Sequence, residues 1–272
     1  MSSQKQFDHL QPEEYDRSAA LAMAVSQEML ARLDWVTLDP KIIVDVGCGT
    51  GQSTKLLQER YPAAKILALD LAYPMLCYAK QQGENTKTTL QNVAWVSADT
   101  AALPFADHSV DLVFANLILP WCKDTEKTFR EWRRILRPEG LLVFTSLGPD
   151  TLKEWREFLG DITLPNLIDM HDHGDALTKV RFADPVLDVD YFTVTYRELA
   201  SLFSELQATG MLLSGDHASL FSAMRESHSS ALWEVTYEVV FGHAFGPPHV
   251  VDQVADEFGT IRIPLSHLRR RR

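Results

Sequence analysis

A glycine-rich turn and the acidic side chains around it are the residues best suited to chemistry. The stretch DVGCGTG places Gly47, Gly49 and Gly51 between an apolar run and a segment with helical spacing. Asp70 ends the next apolar run, and Asp99 ends the one after that. Glycine lets a backbone turn and approach a ligand without a Cβ in the way. A carboxylate at position 70 can accept hydrogen bonds from both hydroxyls of a ribose.

The spacing of the glycines weakens one common nucleotide-site hypothesis and excludes another. A dinucleotide fingerprint has a third small residue where this chain has Gln52, and a phosphate-binding P-loop would continue into Gly-Lys-Ser or Gly-Lys-Thr. Asp45, just before the turn, could orient the loop or meet a cationic ligand. Three carboxylates around one crevice suit a ligand that carries an ammonium and a sulfonium better than one that carries phosphates. We therefore expect a positively charged nucleoside at this turn.

The elements that position these residues alternate along the chain. Apolar stretches predict strands, and segments with apolar residues at helical spacing separate them. Near-continuous Val, Ile and Leu strands separated by helices indicate a parallel sheet covered on both faces. The predicted fold class is α/β, a Rossmann-like, doubly wound and mostly parallel seven-stranded sheet with a helical cap insertion. The predicted strands are 41–47, 65–70, 93–99, 110–117 and 141–147, and the predicted helices are 52–61, 73–82 and 127–136.

The rhythm changes after residue 150, where two further strands, 186–196 and 233–245, are predicted with helical pieces between them. The run RPEG (137–140) predicts a turn into the fifth strand. We expect a single domain that spans all 272 residues. Its predicted segments are an N-terminal lid helix (1–40), a ligand-binding core (41–148), late strands with the cap insertion (149–245) and a tail (246–272).

Composition limits the classes of partner and the compartment. The formal net charge of −11 argues against a general nucleic-acid binder. No apolar run approaches the about 18 to 20 residues needed to cross a bilayer, and the N-terminus lacks the layout of a signal peptide. The three cysteines lack CxxC spacing, so reduced thiols are expected. We expect a cytoplasmic protein without nucleic-acid or membrane partners.

Two basic clusters stand out from the acidic background. One is the predicted helix face formed by Arg130, Arg133, Arg134 and Arg137, and the other is the C-terminal run Arg269 to Arg272. Each could be a docking surface for an acidic partner. A solvated helix face and a solubilising tail are the alternatives.

The HDH run permits a metal hypothesis and a simpler one. His171, His173, Asp169 and Asp172 could be arranged as a two-histidine, one-carboxylate iron site. Histidines two residues apart on a helix point away from each other, however. An aspartate that caps the start of a helix explains the run more simply. No metal is predicted.

The glycine turn, Asp70, Asp99 and RILRPEGLLVFTS in this order resemble the class I S-adenosylmethionine-dependent methyltransferases over about residues 40–148. Longer stretches are similar to the malonyl-[acyl-carrier protein] O-methyltransferases of biotin synthesis over nearly the whole chain. Phe7, Tyr15 and Asp16 match the opening of that family, with a longer and more acidic spacer. The stretches that carry this resemblance are ERYPAAKILALDLAYPML, FANLILPWC, SLGPDTLKEWR, IDMHDHGDAL, FADPVLDVDYFTVTY and EVVFGHAFG.

The resemblance implies S-adenosyl-L-methionine as cofactor and methyl transfer to the free carboxylate of a malonyl thioester on acyl carrier protein. Methylation of another small carboxylate is the first alternative. The second alternative is an assembly factor or a protein hydroxylase. It is suggested by similar motifs in a relative, the methyltransferase-like assembly factor of respiratory complex I.

Under this resemblance the cofactor-binding residues extend beyond the glycine turn. Leu71 next to Asp70, and Thr100 next to Asp99, are included, and the Thr100 amide with the Asp99 carboxylate could bind an adenine edge. Asn116 ends the fourth strand and points toward the same crevice. Tyr15 and Trp121 are the candidate catalytic residues, as an aromatic lid and wall. A ring face near a methyl-sulfonium contributes about 0.5 to 2 kcal/mol. Ordinary core packing is the alternative for both rings.

Overall fold

One twisted sheet of seven strands runs through the protein, in the order β3-β2-β1-β4-β5-β7-β6. A computed structural model describes residues 11–85, 90, 92–159, 165–212, 217–227 and 232–247. The strands are β1 (Ile42–Val46), β2 (Lys65–Asp70), β3 (Val93–Ser97), β4 (Val110–Ala115), β5 (Leu136–Leu147), β6 (Ala183–Tyr196) and β7 (Trp233–Phe245).

Helices cover both faces of this sheet. Short 3-10 turns, Leu33–Trp35, Leu119–Trp121 and Lys153–Trp155, join some of the elements. The helices are α1 (Pro12–Ser18), α2 (Ala20–Arg32), α3 (Gln52–Arg60), α4 (Tyr73–Asn85), α5 (Thr125–Ile135), α6 (Arg156–Leu159), α7 (Met170–Lys179), α8 (Leu199–Ala208) and α9 (His217–Ser227). Within the described residues, no helix is both long and apolar enough to cross a membrane.

The first five strands are parallel, which confirms the doubly wound α/β prediction. β1 pairs with β2 on one side and with β4 on the other, so the chain reverses its direction of travel across the sheet at this point. In open α/β sheets the ligand crevice lies at such a reversal, beyond the carboxyl ends of the strands. β7 runs antiparallel between β5 and β6.

Apolar side chains from the sheet and the helices form a core on each face. On one face, Val25 and Met29 of α2 and Leu202 of α8 are fully buried. On the other, Phe129 and Trp132 of α5 are fully buried. α5 begins where the Asp124 side chain accepts a hydrogen bond from the Lys127 amide, at 2.8 Å. The cores hold the carboxyl ends of the strands in a fixed arrangement.

Three features differ from the sequence predictions. The N-terminal segment contains two helices, α1 and α2, that meet at Ala19, where one was expected. The predicted turn 137–140 lies inside β5, and it shows as a break in pairing where Val110 faces Leu136 and Leu112 faces Leu141. α9 was not predicted at all. The predicted tail arginines and Phe7 lie outside the described residues.

Candidate active site

A cavity of about 290 Å³ opens at the carboxyl ends of the parallel strands. Helices α1 and α8 also contribute side chains to its wall. Nine of the eleven site residues predicted from the sequence line this one cavity; Asp45 and Gly51 do not. The nine are Tyr15, Gly47, Gly49, Asp70, Leu71, Asp99, Thr100, Asn116 and Trp121.

The glycine loop, residues 47–51, needs glycine for two different reasons. Gly47, Gly49 and Gly51 all have positive φ, at 72°, 52° and 83°, a region that other residues enter only with strain. A Cβ on Gly47 would also lie 2.7 Å from Cγ1 of Ile118, which is an overlap. A Cβ on Gly49 would meet only the Tyr15 ring, at 3.7 Å, in the space above the loop. Gly49 therefore keeps the cradle open, and Gly47 keeps the loop against Ile118.

Asp70 ties the glycine loop to the end of β2. One carboxylate oxygen accepts from the Gly49 amide and the other from the Ala72 amide, each at 2.8 Å. A carboxylate has about four lone-pair sites, so about two remain for hydroxyl donors. Burial raises the pKa of the Asp70 carboxyl, and these backbone hydrogen bonds oppose the increase. The residue can therefore support the loop and still bind a ribose.

Asp45 lies beneath the loop rather than in the cavity. It is 1% exposed, and its carboxylate accepts from the Thr54 hydroxyl at 2.5 Å. Burial raises the pKa of Asp45 to about 7. The Thr54 hydrogen bond opposes this increase, and the nearby Asp70 adds a smaller contribution to it. Its position supports the first suggested role, orientation of the loop, and keeps it from direct contact with a ligand in the cavity.

Asp99 and Thr100 lie together at the end of β3. The Asp99 side chain accepts from the Ala101 amide at 2.9 Å. The Thr100 hydroxyl accepts from the indole of Trp132 at 2.9 Å, which fixes the strand end to α5. Both residues line the cavity, and their role in binding an adenine edge stays a prediction.

Asn116 is engaged by the protein itself. Its amide nitrogen donates to the Ala22 carbonyl and to the Ser26 hydroxyl, both at 2.8 Å. Its amide oxygen accepts from the Thr145 hydroxyl at 2.8 Å. Both donor hydrogens are used, so Asn116 can offer a ligand only a lone pair on its oxygen. Its arrangement fits a residue that holds α2 against the end of β4.

The lid prediction has a structural basis that sequence reasoning missed. Asp16, next to Tyr15, accepts hydrogen bonds from the Thr50 hydroxyl at 2.5 Å and from the Gln52 amide at 2.7 Å. Tyr78 of α4 donates to the other carboxylate oxygen at 3.3 Å. α1 is thereby fastened to the glycine loop, with Tyr15 above Gly49. Asp16 was noted in the sequence, but no pattern connected it with residues more than 30 positions away.

The two candidate catalytic residues, Tyr15 and Trp121, both border the cavity. Burial, followed by the nearby Asp70 and Asp16, raises the pKa of Tyr15 to about 12, so its hydroxyl stays protonated and can donate. Trp121 lines the cavity and packs against the apolar core. Its indole nitrogen is buried and has no hydrogen-bond partner among the described residues. Both residues therefore border the cavity, and their catalytic roles stay predictions.

Residues that were not predicted as site residues also line the cavity. They come from α1, from β5, from α8 and the residues just after it, and from β7. These residues are Ser18, Leu147, Glu205, Thr209, Met211 and Tyr237.

The two histidines of the HDH run have different surroundings. Asp169 accepts from the His171 amide at 2.8 Å at the start of α7, which confirms the helix-cap interpretation. His171 is exposed, whereas His173 is fully buried against Phe129 and Phe144. No group of three or more His, Cys, Asp or Glu side chains in the described chain could hold a metal ion. α7 packs on α5 and β6, in the core rather than at the cavity.

Intramolecular contacts occupy the basic face around α5. Arg134 contacts Glu131 and Asp107, and Arg137 lies 2.6 Å from Asp111. Arg130 pairs with Glu126 at 2.5 Å, and Arg133 donates to the Arg181 carbonyl at 2.9 Å. Carboxylates already compensate most of this charge, which weakens the face as a docking surface for an acidic partner.

The stretch SLGPDTLKEWR (146–156) begins at the end of β5 and forms hydrogen bonds with β7. The Asp150 amide donates to the Glu238 carboxylate at 2.5 Å, and a Cβ on Gly148 would overlap that carboxylate. Trp155 donates to the Glu234 carbonyl at 2.8 Å. This part of the motif therefore secures the antiparallel end of the sheet rather than contributing to the cavity.

The cavity fits one class of ligand. The glycine loop leaves room that a Cβ would fill, Asp70 has lone pairs left for ribose hydroxyls, and Asp99 with Thr100 lies one strand further on. This set at the reversal of strand order defines a Rossmann-like methyltransferase that uses S-adenosyl-L-methionine. Residues 44–144 match a family described as "Methyltransferase domain".

The chain is also similar to curated and solved proteins. It is 38% identical to a malonyl-[acyl-carrier protein] O-methyltransferase of Gallionella capsiferriformans, over 86% of this chain and 87% of that one. It is 36% identical to one of Halorhodospira halophila, over 96% and 92%. A solved phosphoethanolamine N-methyltransferase 2 of Haemonchus contortus, in complex with S-adenosyl-L-methionine, shares the fold: TM-score 0.53, 18% identity, 81% of this chain and 52% of that one. The chain belongs to the malonyl-[acyl-carrier protein] O-methyltransferase family.

Proposed function

We propose that this protein transfers a methyl group from S-adenosyl-L-methionine to the free carboxylate of a malonyl thioester carried by acyl carrier protein, an early step of biotin synthesis. The observation that carries the proposal is one cavity of about 290 Å³ that is lined both by the predicted cofactor residues and by residues of β5, β7 and α8. The names of the relatives supply the substrate that fits this geometry. The alternatives, another small carboxylate or an assembly factor, have no comparable support.

The reaction asks little of acid–base chemistry. A malonyl carboxylate is ionised at neutral pH, because an ordinary carboxyl has a pKa of about 4. When bound, the cofactor supplies an electrophilic methyl group on a positively charged sulfur. The task left to the protein is to hold the carboxylate in line with that methyl and to exclude water. Held geometry of this kind is worth about 7 to 11 kcal/mol in favourable cases.

The described residues are suited to this task. Asp70 and the glycine loop fix the nucleoside end, and Asp16 holds Tyr15 over it. Apolar side chains surround the centre of the cavity and keep it dry. They include Leu21, Ala22, Leu117, Ile118 and Leu147.

Acyl carrier protein is acidic in general, so a chain of net charge −11 would repel it without a local positive surface. The α5 face is largely compensated by its own carboxylates. This favours the terminal arginines, 269–272, as the docking element. Those residues lie outside the described part of the chain, and their role is tested by the tail prediction below.

The decisive experiment incubates the enzyme with methyl-labelled cofactor and malonyl-acyl carrier protein. We expect a labelled carrier whose mass rises by one methylene and whose label is lost on ester hydrolysis. Acetyl-acyl carrier protein, which lacks the free carboxylate, is the control and should stay unlabelled. Labelling of free aconitate or malonate but not of the thioester would overturn the proposed substrate.

A further inference from the structure

Different elements line the two halves of the cavity. The glycine loop, Asp70 and Asp99 follow β1, β2 and β3, and they form the cofactor half. Leu147, Tyr237 and Glu205 come from β5, β7 and α8. In the strand order, β5 and β7 lie on the other side of β4 from the first three strands. The groups from these late elements therefore form a separate substrate half.

No described residue assigned to the substrate half carries a positive charge that could hold a carboxylate. Among the described residues that line the cavity, the positively charged side chains are Lys123 and Lys127. Lys123 precedes α5 and Lys127 belongs to it, and Trp132 of α5 bonds to Thr100 in the cofactor half. Among the described residues of the substrate half, the side chains that could donate to a carboxylate are therefore neutral, and hydroxyl groups are the candidates.

Tyr237 is the hydroxyl best placed for this role. Tyr237 is only 2% exposed, and it still lines the cavity. Burial, followed by the nearby Glu205, raises the pKa of Tyr237 above its usual value, so its hydroxyl remains a donor. The Thr209 hydroxyl already donates to the Glu205 carbonyl, at 2.8 Å. Tyr15 and Ser18 belong to α1, the helix fastened to the glycine loop.

A second tyrosine and a carboxyl group lie behind this hydroxyl. Tyr196 is 8% exposed, and Tyr237 and Glu205 lie beside its hydroxyl as hydrogen-bonding neighbours. Burial raises the pKa of Tyr196, and Tyr237 and Glu205 act in the same direction. Burial also raises the pKa of Glu205, and a hydrogen bond with Tyr196 opposes the increase. Of the two tyrosines, Tyr237 is the one that lines the cavity, so its hydroxyl is the one that a ligand can reach.

We propose that the Tyr237 hydroxyl donates a hydrogen bond to the carboxylate that receives the methyl group, and that Tyr196 and Glu205 position this hydroxyl. The inference rests on the proposed function and adds the residue that selects a malonyl over an acetyl group. A neutral donor holds one carboxylate oxygen without compensating its charge, so the other oxygen keeps its nucleophilicity. That oxygen bonds to the methyl carbon while the carbon–sulfur bond breaks and its electron pair stays on sulfur. No proton moves.

The test compares Tyr237→Phe with Tyr191→Phe as the matched control. The control also removes a tyrosine hydroxyl, but from a residue of β6 that is 51% exposed and does not line the cavity. Calorimetry in the presence of S-adenosylhomocysteine gives the Kd of malonyl and acetyl thioesters of the carrier without turnover. Tyr237→Phe should weaken malonyl binding by about 10- to 100-fold, as expected for loss of a hydrogen bond to a charged group. Acetyl binding should change by less than about threefold, and the control variant should match the wild type.

The affinity for S-adenosylhomocysteine alone shows whether Tyr237→Phe is folded, and it should be unchanged. An unchanged ratio of malonyl to acetyl affinity in the folded variant would overturn the inference. If Tyr237→Phe does not fold, Tyr196→Phe provides the second variant, with a smaller loss of the same preference expected and no loss counting against the inference. A wild-type enzyme that fails to methylate the malonyl thioester would instead contradict the proposed function.

Discussion

Replacement of Gly47 by alanine separates the structural glycines of the loop from those that face the ligand. The new Cβ would lie 2.7 to 2.9 Å from three atoms of Ile118, and φ at position 47 is 72°. At Gly49, where φ is 52°, an added Cβ meets only the Tyr15 ring at ordinary contact distance. The same substitution therefore combines strain with overlap at position 47 and produces strain alone at position 49.

The expected losses of stability follow from these two contributions. A left-handed backbone costs a non-glycine residue about 1 to 2 kcal/mol. Overlap in a packed region costs about 1 to 3 kcal/mol more. Gly47→Ala should thus reduce the free energy of unfolding by about 2 to 5 kcal/mol, and Gly49→Ala by about 1 to 2 kcal/mol. Both substitutions leave the charge of the protein unchanged, so electrostatics does not complicate the comparison.

Urea unfolding followed by circular dichroism measures both losses, and a double-mutant cycle tests their cause. Ile118→Ala removes Cγ1 and Cδ1, two of the three overlapping atoms, so it should relieve Gly47→Ala by about 1 to 2 kcal/mol and leave Gly49→Ala unaffected. Equal costs at positions 47 and 49, or no coupling between positions 47 and 118, would refute the reasoning.

Four further predictions concern binding, pH and docking. Gly49→Val should stay folded but lose cofactor binding in calorimetry, because a branched side chain fills the space above the loop. Asp70→Ala should weaken cofactor binding by about 1.5 to 3 kcal/mol, and an unchanged Kd would show that it does not hold the ribose. Burial lowers the pKa of His173 to about 4, against 6.5 when unfolded, so stability present above pH 6.5 should decrease as the pH falls toward 4. His173→Leu should abolish this dependence in urea titrations at several pH values. Changing the four arginines 269–272 to serine should raise the KM for malonyl-acyl carrier protein and flatten its salt dependence, without affecting a small malonyl thioester. Equal losses on both substrates would assign the tail to the fold.

The cofactor half could be predicted because its chemistry depends on local backbone geometry. Gly47 and Gly49 follow a recognisable strand, and Asp70 and Asp99 end the next two. In parallel strands the carboxyl ends meet at one edge, so sequence order alone brings these residues together. The prediction was less accurate where a residue's environment decides its role. Asp45 lies only two residues before Gly47 in the sequence, yet it is buried beneath the loop.

The basic face shows a related difference between pattern and environment. Helical spacing places Arg130, Arg133 and Arg134 on one side of α5, but it does not show that Asp107 lies within 2.6 Å of Arg134. Arg137 was grouped with them, and it belongs to β5 and pairs with Asp111. A charge run in sequence thus shows where charge is available, and only the fold shows how much of it is compensated.

The substrate half could not be predicted because neither its spacing nor its residue types are distinctive. Tyr196 and Tyr237 are ordinary strand residues, and Glu205 is a single acid on an amphipathic helix. They meet because β7 returns antiparallel between β5 and β6, a long-range pairing that no local pattern specifies. A common cofactor requires the same glycines and carboxylates at the same strand ends, whereas an acyl group can be bound by any hydroxyl that the late strands deliver. If Tyr237 binds the malonyl carboxylate, selectivity in this enzyme depends on tertiary pairing and the cofactor site depends on local sequence. Substitutions in β7 should then change which acid is methylated while leaving the affinity for the cofactor intact.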